Sequence, residues 1–209
     1  RGGKTDQNLV LLDDAVLYNP THFFGIFQAL NPFTTEKVNI YKGAAPMEFG
    51  GRLSSVLDIE TKNGNTEKIS GEGSNGPVTG NLALEIPLKK DVSSLVIGGR
   101  GVYADWKLKS LDEESLSNSE ASFFDGIIKY HHKFNENSEI RGTAYYSRDN
   151  FSITSDSLYN YSNRLGSLRW AHKLNQNTTG VLTGSFSSYN FGIDYEGEGY
   201  GNFELDYTI

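Results

Sequence analysis

The chain has 209 residues, a formal net charge of −7, no cysteine, twelve tyrosines, twelve phenylalanines and 23 glycines. That length can bury one large core or two small ones, and the acidic balance argues against general nucleic-acid binding, which needs clustered lysine and arginine to neutralise phosphate. The absence of cysteine removes disulfide frameworks and thiolate metal sites, and the aromatic content favours strands over helices.

Residues 7–18, QNLVLLDDAVLY, combine an apolar run (Leu9 to Leu12), an Asp-Asp turn and a short apolar return, which predicts two strands joined tightly. In YNPTHFFGIFQALNP, Pro20 and Pro32 bracket a segment where Thr21 can cap a short helix, with Phe23, Phe24, Phe27 and Leu30 recurring at three and four residues. EKVNIYKG (36–43) alternates as a strand and ends on Gly43; AAPMEFGGR turns the chain, and SSVLDIETK is a second strand. This is a compact α+β unit to about residue 64.

From residue 66 the texture changes to long alternating segments, with strands expected near 66–75, 78–88, 93–106, 123–134, 138–152, 163–174, 178–194 and 201–209. KKDV, NENS and NQNT make tight polar turns after the second, fourth and sixth, whereas 107–122, 153–162 and 195–200 are longer connections. Leu82, Leu84, Ile86 and Leu88 share one face; Phe124, Ile128, Tyr130, His132 and Phe134 oppose Asp125, Lys129, His131 and Lys133, with Ile127 out of pattern; Leu168, Trp170, His172 and Leu174 oppose Arg169 and Lys173. Tyr130 and Trp170 lie at matching distances from their short turns, as an interfacial aromatic girdle requires. In 93–106, Val102 and Trp106 share a face with Arg100, which predicts a bulge or a changed register.

No apolar run approaches the ~20 residues of a membrane helix, but this leaves a membrane barrel open. Several segments exceed the ~9–11 residues that cross a bilayer, whereas soluble strands average about five or six, so a barrel is favoured over a sandwich. The opening RGGKTDQN has no signal-peptide core, and both ends read as internal to a longer protein.

Catalytic and metal chemistry finds little support. GGRGVY lies inside an alternating strand rather than between a strand and a helix, so it is no dinucleotide fingerprint. His131 and His132 are adjacent on a strand and face opposite ways, so they cannot chelate one ion together. Asp13-Asp14 reads as a turn, and Asp112-Glu113-Glu114 as a solvated loop face. No nucleophile, base and orienting group assemble, so the expectation is a non-enzyme without metal or cofactor.

The stretches RGGKTDQNLVLLDDAVLYNPTHFFGIFQALNP and EKVNIYKGAAPMEFGGRLSSVLDIETKNG resemble the second half of the plug domain of TonB-dependent outer-membrane receptors, especially the large set from Bacteroidetes-type bacteria. The resemblance covers residues 1–64; beyond it the match is mainly one of barrel texture, with Arg169, Trp170 and His172 as a weaker echo. Asp14-Ala15 stands where the family has a glycine-containing turn, Ala45 replaces a glycine, and Phe49 replaces tyrosine.

The resemblance implies a mainly β chain with a small α+β part: the C-terminal half of a plug over 1–64, then about eight antiparallel strands of an incomplete transmembrane barrel over 65–209. In such receptors a barrel of about twenty-two strands encloses the plug. A scarce solute (siderophore, cobalamin, oligosaccharide or peptide) binds outside, and an inner-membrane complex acting through TonB displaces the plug. The implied location is the outer membrane of a Gram-negative bacterium, with outer-membrane lipid, an unidentified small molecule or oligosaccharide, and TonB, reached through a region preceding residue 1, as partners.

Arg1, Gly2, Gly3, Tyr41, Lys42, Gly43, Gly50, Gly51 and Arg52 stand at plug signature positions with a structural role. Gly50-Gly51 are expected to form a corner where backbones approach too closely for a Cβ. Arg52 is expected to lock onto an inward carboxylate such as Glu85. Asn19, His22, Phe23, Phe24 and Phe27 are the candidates for a substrate-facing apex, against the alternative that the phenylalanines pack the plug core. The competing functional reading is a soluble β-rich binding or adhesion module without transport activity.

Overall fold

The computed structural model describes residues 7–43, 45–50, 54–103, 120–152, 157–195 and 202–209. Six short strands come first: β1 (Leu9–Leu12), β2 (Ala15–Val16), β3 (Thr21–His22), β4 (Phe27–Gln28), β5 (Thr35–Tyr41) and β6 (Val56–Thr61). Eight more follow: β7 (Ser70–Asn75), β8 (Thr79–Lys89), β9 (Ser93–Tyr103), β10 (Glu120–Asn135), β11 (Ser138–Ser152), β12 (Ser157–Asn175), β13 (Thr178–Tyr195) and β14 (Phe203–Thr208).

The last eight form one antiparallel sheet in chain order, each strand paired with its sequence neighbour. All eight expected strands are present, and the tight turns fall at KKDV, NENS and NQNT; β12 begins earlier than expected, at Ser157. The pleat separates two chemistries. One outward row runs Leu84–Ile97–Ile128–Ala144–Gly166–Phe186 across β8 to β13. The next row toward the tight turns runs Ile86–Leu95–Tyr130–Gly142–Leu168–Gly184. Leu82, Phe124, Ile128, Phe134, Leu168, Trp170 and Phe186 stay exposed. Tyr130 and Trp170 lie one row apart, Trp170 being level with His132 through Ile140.

The opposite face carries Arg100, Asp125, Ile127, Lys129, Tyr145 and Asp149, all buried. Ile127 therefore follows the pleat rather than breaking it. Val102 and Arg100 share this face with no register shift between β9 and β10, so the expected bulge is not needed: the face is covered by protein and accepts both residue types. Trp106 lies outside the described residues.

The cover is the N-terminal unit. Its four-stranded sheet has the order β2-β1-β6-β5, with β1 parallel to β6 and the other pairs antiparallel. The short helix expected between Pro20 and Pro32 is absent; β3, a 3-10 turn (Phe23–Gly25) and β4 make a small hairpin instead. With Phe23 buried against Phe123, tertiary packing overrides the three-and-four spacing.

Leu12, Ala15, Leu17, Ala29 and Ile59 of the unit share one apolar core with Ile127, Tyr145 and Leu165 of the large sheet. Leu9, Leu11 and Val56 form a smaller core on the other side of the four-stranded sheet, with Tyr41 and Phe49 against it. Gly50 has open space where a Cβ would stand, which corrects the expectation of close backbone approach there. The close approach falls at Gly64 instead: its φ is +85°, and a Cβ would meet Val96 Cγ2 at 2.8 Å.

Candidate functional site

Three contact points on the large sheet's inner face hold the N-terminal unit. The first begins with the turn between β1 and β2, where Asp13 (φ 45°) and Asp14 (φ 70°) both occupy the left-handed region. That is the backbone of a type I′ hairpin turn, and aspartate tolerates it because its short side chain finds local partners. The turn delivers two carboxylates to the sheet. Asp13 accepts from Lys129 Nζ at 3.1 Å, Thr143 Oγ1 at 2.7 Å, the Thr61 amide at 3.0 Å and the Thr61 hydroxyl. Lys129, only 2% exposed, also donates to the Thr61 carbonyl at 2.6 Å. Asp14 accepts from Arg169 Nη1 at 2.8 Å at a half-open rim.

The second point centres on His22, which has no exposed surface. Its Nδ1 meets Asp149 Oδ2 at 2.7 Å and its Nε2 faces Asp125 Oδ2 at 3.4 Å. The imidazole stacks on Phe123 at 4.0 Å with the rings 6° from parallel. Arg100 Nε donates to Asp125 at 2.7 Å, and its guanidinium also reaches the Gln28 carbonyl and the Phe123 ring. Burial lowers the pKa of His22, but Asp125 and Asp149 raise it by more, so it stands above its ordinary value. Charged His22 and Arg100 then balance the two carboxylates. Next to His22, Phe23 sits at φ 48°, a rare conformation for a bulky residue, with its amide donating to Asp149 Oδ1 at 3.4 Å.

The third point is neutral. The Asn19 amide donates to Asn163 Oδ1 and Asn163 Nδ2 returns a bond to the Asn19 carbonyl, both at 3.1 Å. Tyr145 Oη donates to the Ala29 carbonyl at 2.8 Å, and Asn31 Nδ2 reaches the Leu82 and Gly99 carbonyls. Near the first point a polar cleft of about 580 Å³, lined by Asp14, Asp58, Arg141 and Arg169 among others, separates the four-stranded sheet from β11–β13. Burial raises the pKa of Asp58 there, partly offset by the Asn39 amide.

The expected substrate-facing residues are therefore docking residues in this structure. His22 and Phe23 are buried against the sheet, Asn19 is bonded to Asn163, and Phe27 packs on Phe123; only the side chain of Phe24 lies outside the description. Tyr41 packs against Phe49, while Lys42 is exposed and Gly43 takes φ +147°. Arg1, Gly2, Gly3, Gly51 and Arg52 lie outside the described residues. Glu85 does face inward, and among the described residues Lys62 lies 3.8 Å from it.

The pairs Asp13–Lys129, His22–Asp149 and Arg100–Asp125 were not legible in the sequence. The usable signal was only that charged residues sat on the sheet face opposite the apolar one. No group of three or more histidine or acidic residues suited to a metal occurs among the described residues. His22 has carboxylates at both ring nitrogens, so the cluster can hold charge.

Fold and site together define a mainly β protein whose antiparallel sheet is covered on one face by a unit held through buried polar contacts. No protein-family model matches the chain, and no curated protein matches it either.

Proposed function

We propose that the chain is part of a TonB-dependent outer-membrane receptor. Residues 1–64 are the later half of the plug and residues 65–209 the first eight strands of the barrel. The complete receptor imports a scarce solute (a siderophore, cobalamin, an oligosaccharide or a peptide) on energy from the inner membrane, delivered through TonB.

One observation carries this reading: the outward side of β10 holds no charged residue from Phe124 to Phe134, while its inward side holds buried Asp125, facing His22, and buried Lys129, bonded to Asp13 of the N-terminal unit. Ten residues span about 33 Å along a strand, or about 25 Å normal to the membrane at a tilt of ~40°, which matches the apolar band of an outer-membrane barrel. The two-residue joins between β10 and β11 and between β12 and β13, on the same rim as the short β8–β9 join, support the same reading. A plug that must move is served by the polar part of this docking surface, whose ion pairs and hydrogen bonds can be exchanged for water beside the apolar core shared with Ile127 and Tyr145.

The test is uptake. Deleting the gene of the full-length protein and growing the strain on limiting iron-siderophore, cobalamin, oligosaccharide or peptide is expected to abolish growth on one source. The wild-type gene restores it, and a version lacking the TonB-contacting segment does not. A deletion strain that grows normally on every source, with the protein recovered from the soluble fraction, would instead favour the binding or adhesion module.

A further inference from the structure

The outward face of the large sheet changes chemistry abruptly on β11 and β12. The row Ala144–Gly166–Phe186 belongs to the apolar band; the row immediately beyond it, away from the tight turns, is Tyr146–Arg164–Ser188, and the next is Arg148–Ser162–Asn190. Arg148 and Arg164 are therefore diagonal neighbours on adjacent strands, both exposed, in the rows that reach β10 at Phe124 and Gly126, and each is the first charged outward residue of its strand past Ala144 or Gly166. They border a shallow depression of about 350 Å³ with Tyr146, Ser162 and Asn190.

Neither guanidinium forms an ion pair among the described residues. Arg164 lies over the Tyr146 ring at 5.8 Å, which steers it without satisfying its donors. The two acidic residues of the depression, Glu204 and Asp206, are on β14, and each accepts from Asn190 Nδ2, at 2.9 and 2.7 Å. Among the described residues the two arginines thus line one depression outside any ion pair, and their planar donors are of the type that grips a phosphate in bidentate fashion. They do so directly beside Ala144, Gly166 and Phe186, on which the chains of a lipid would lie while its headgroup reached the arginines.

We propose that Arg148 and Arg164 form a binding site for the phosphate of a membrane lipid headgroup. The inference rests on the reading of the outward face as lipid-facing. The site fixes the height of the strands in the bilayer and ties one lipid to the β11–β12 pair. A phosphate on a lipid is preferred to free phosphate because the acyl chains add the adjoining apolar band to the contact.

The test uses the full-length protein in neutral detergent, titrated with phosphatidic acid and, separately, with diacylglycerol, which lacks only the phosphate. Bound lipid is counted by native mass spectrometry, and a nitroxide at position 168 reports lipid exposure of the band in vesicles. Wild type is expected to retain phosphatidic acid over diacylglycerol. R148Q/R164Q is expected to bind phosphatidic acid roughly thirtyfold more weakly, at about fivefold per arginine, and R148K/R164K to fall between them. Equal retention by wild type and R148Q/R164Q, with the nitroxide still lipid-exposed, overturns the site and leaves the membrane reading intact. A nitroxide shielded from lipid overturns both. Displacement of the lipid by millimolar inorganic phosphate at the same occupancy overturns the lipid as the source.

Discussion

Asp13 and Lys129 meet at 3.1 Å although 116 residues separate them in the chain, and the Asp13 carboxylate also collects the Thr61 and Thr143 hydroxyls. The lysine belongs to the large sheet and the aspartate to a hairpin turn of the unit that covers it. Both are nearly sealed from water, so the pair behaves as a buried latch: breaking one half is costly even where the intact pair contributes little net stability.

Lys129→Met should accordingly destabilise the protein by about 3–5 kcal/mol, because Asp13 is left charged and buried. Adding Asp13→Asn should recover a substantial part of that loss, since the stranded charge is gone. Denaturant midpoints for the two single variants and the double variant provide the check; strictly additive losses would contradict the latch.

Arg169 and Asp14 offer the contrast. Their bond is as short, 2.8 Å, but both side chains are about one-third exposed. Water and salt screen such a pair, so Arg169→Ala should cost no more than about 1 kcal/mol. A loss as large as that of Lys129→Met would mean the rim is drier than its accessibility indicates.

His22 should make docking pH-dependent in a defined direction. Asp125 and Asp149 hold its folded-state pKa above the ordinary 6.5 despite burial, and Arg100, the other charge in the cluster, faces Asp125. The stabilisation from the charged imidazole is therefore complete below about pH 6.5 and is lost as the pH rises through the higher folded-state value. The difference in stability between wild type and His22→Gln should shrink from pH 6 to pH 9. A difference that is flat, or that grows with pH, would show that His22 is held neutral.

Gly98 should be intolerant of a side chain. A Cβ there would overlap Thr34 Cγ2 and stand 3.0 Å from Ile127 Cγ2, between the unit and the sheet, whereas at Gly99 the nearest atom is the Asp125 carbonyl oxygen at 3.8 Å. Gly98→Ala should cost about 1–3 kcal/mol through overpacking, and Gly99→Ala should stay within about 0.5 kcal/mol. Thermal unfolding of both variants tests this; equal effects would mean that the interface yields without strain.

What the sequence disclosed follows from range. Alternation and tight turns are local, so the eight long strands, the pairing of Leu9–Leu12 with a short return after Asp13-Asp14, and the outward set from Leu82 to Trp170 could be read directly. The 20–31 segment could not, because its phenylalanine spacing fits a helix equally well and only Phe123 and Phe151 on distant strands decide the matter. The docking cluster was hidden for the same reason: nothing near Asp13 points to Lys129, and nothing near His22 points to Asp149. The same holds for Glu85, which among the described residues has Lys62 at 3.8 Å.

The central claim, that one face of the large sheet meets lipid while the other holds the N-terminal unit, is tested most directly on β10. The chain contains no cysteine, so single cysteines at positions 126 to 134 can carry nitroxides without background from this region. In the full-length protein in vesicles, collision with lipid-soluble oxygen should peak at the even positions 128, 130, 132 and 134 and fall at 127, 129, 131 and 133, while a water-soluble nickel complex reaches none of the even positions. Even positions open to the nickel complex, or an oxygen profile without period two, would contradict the account.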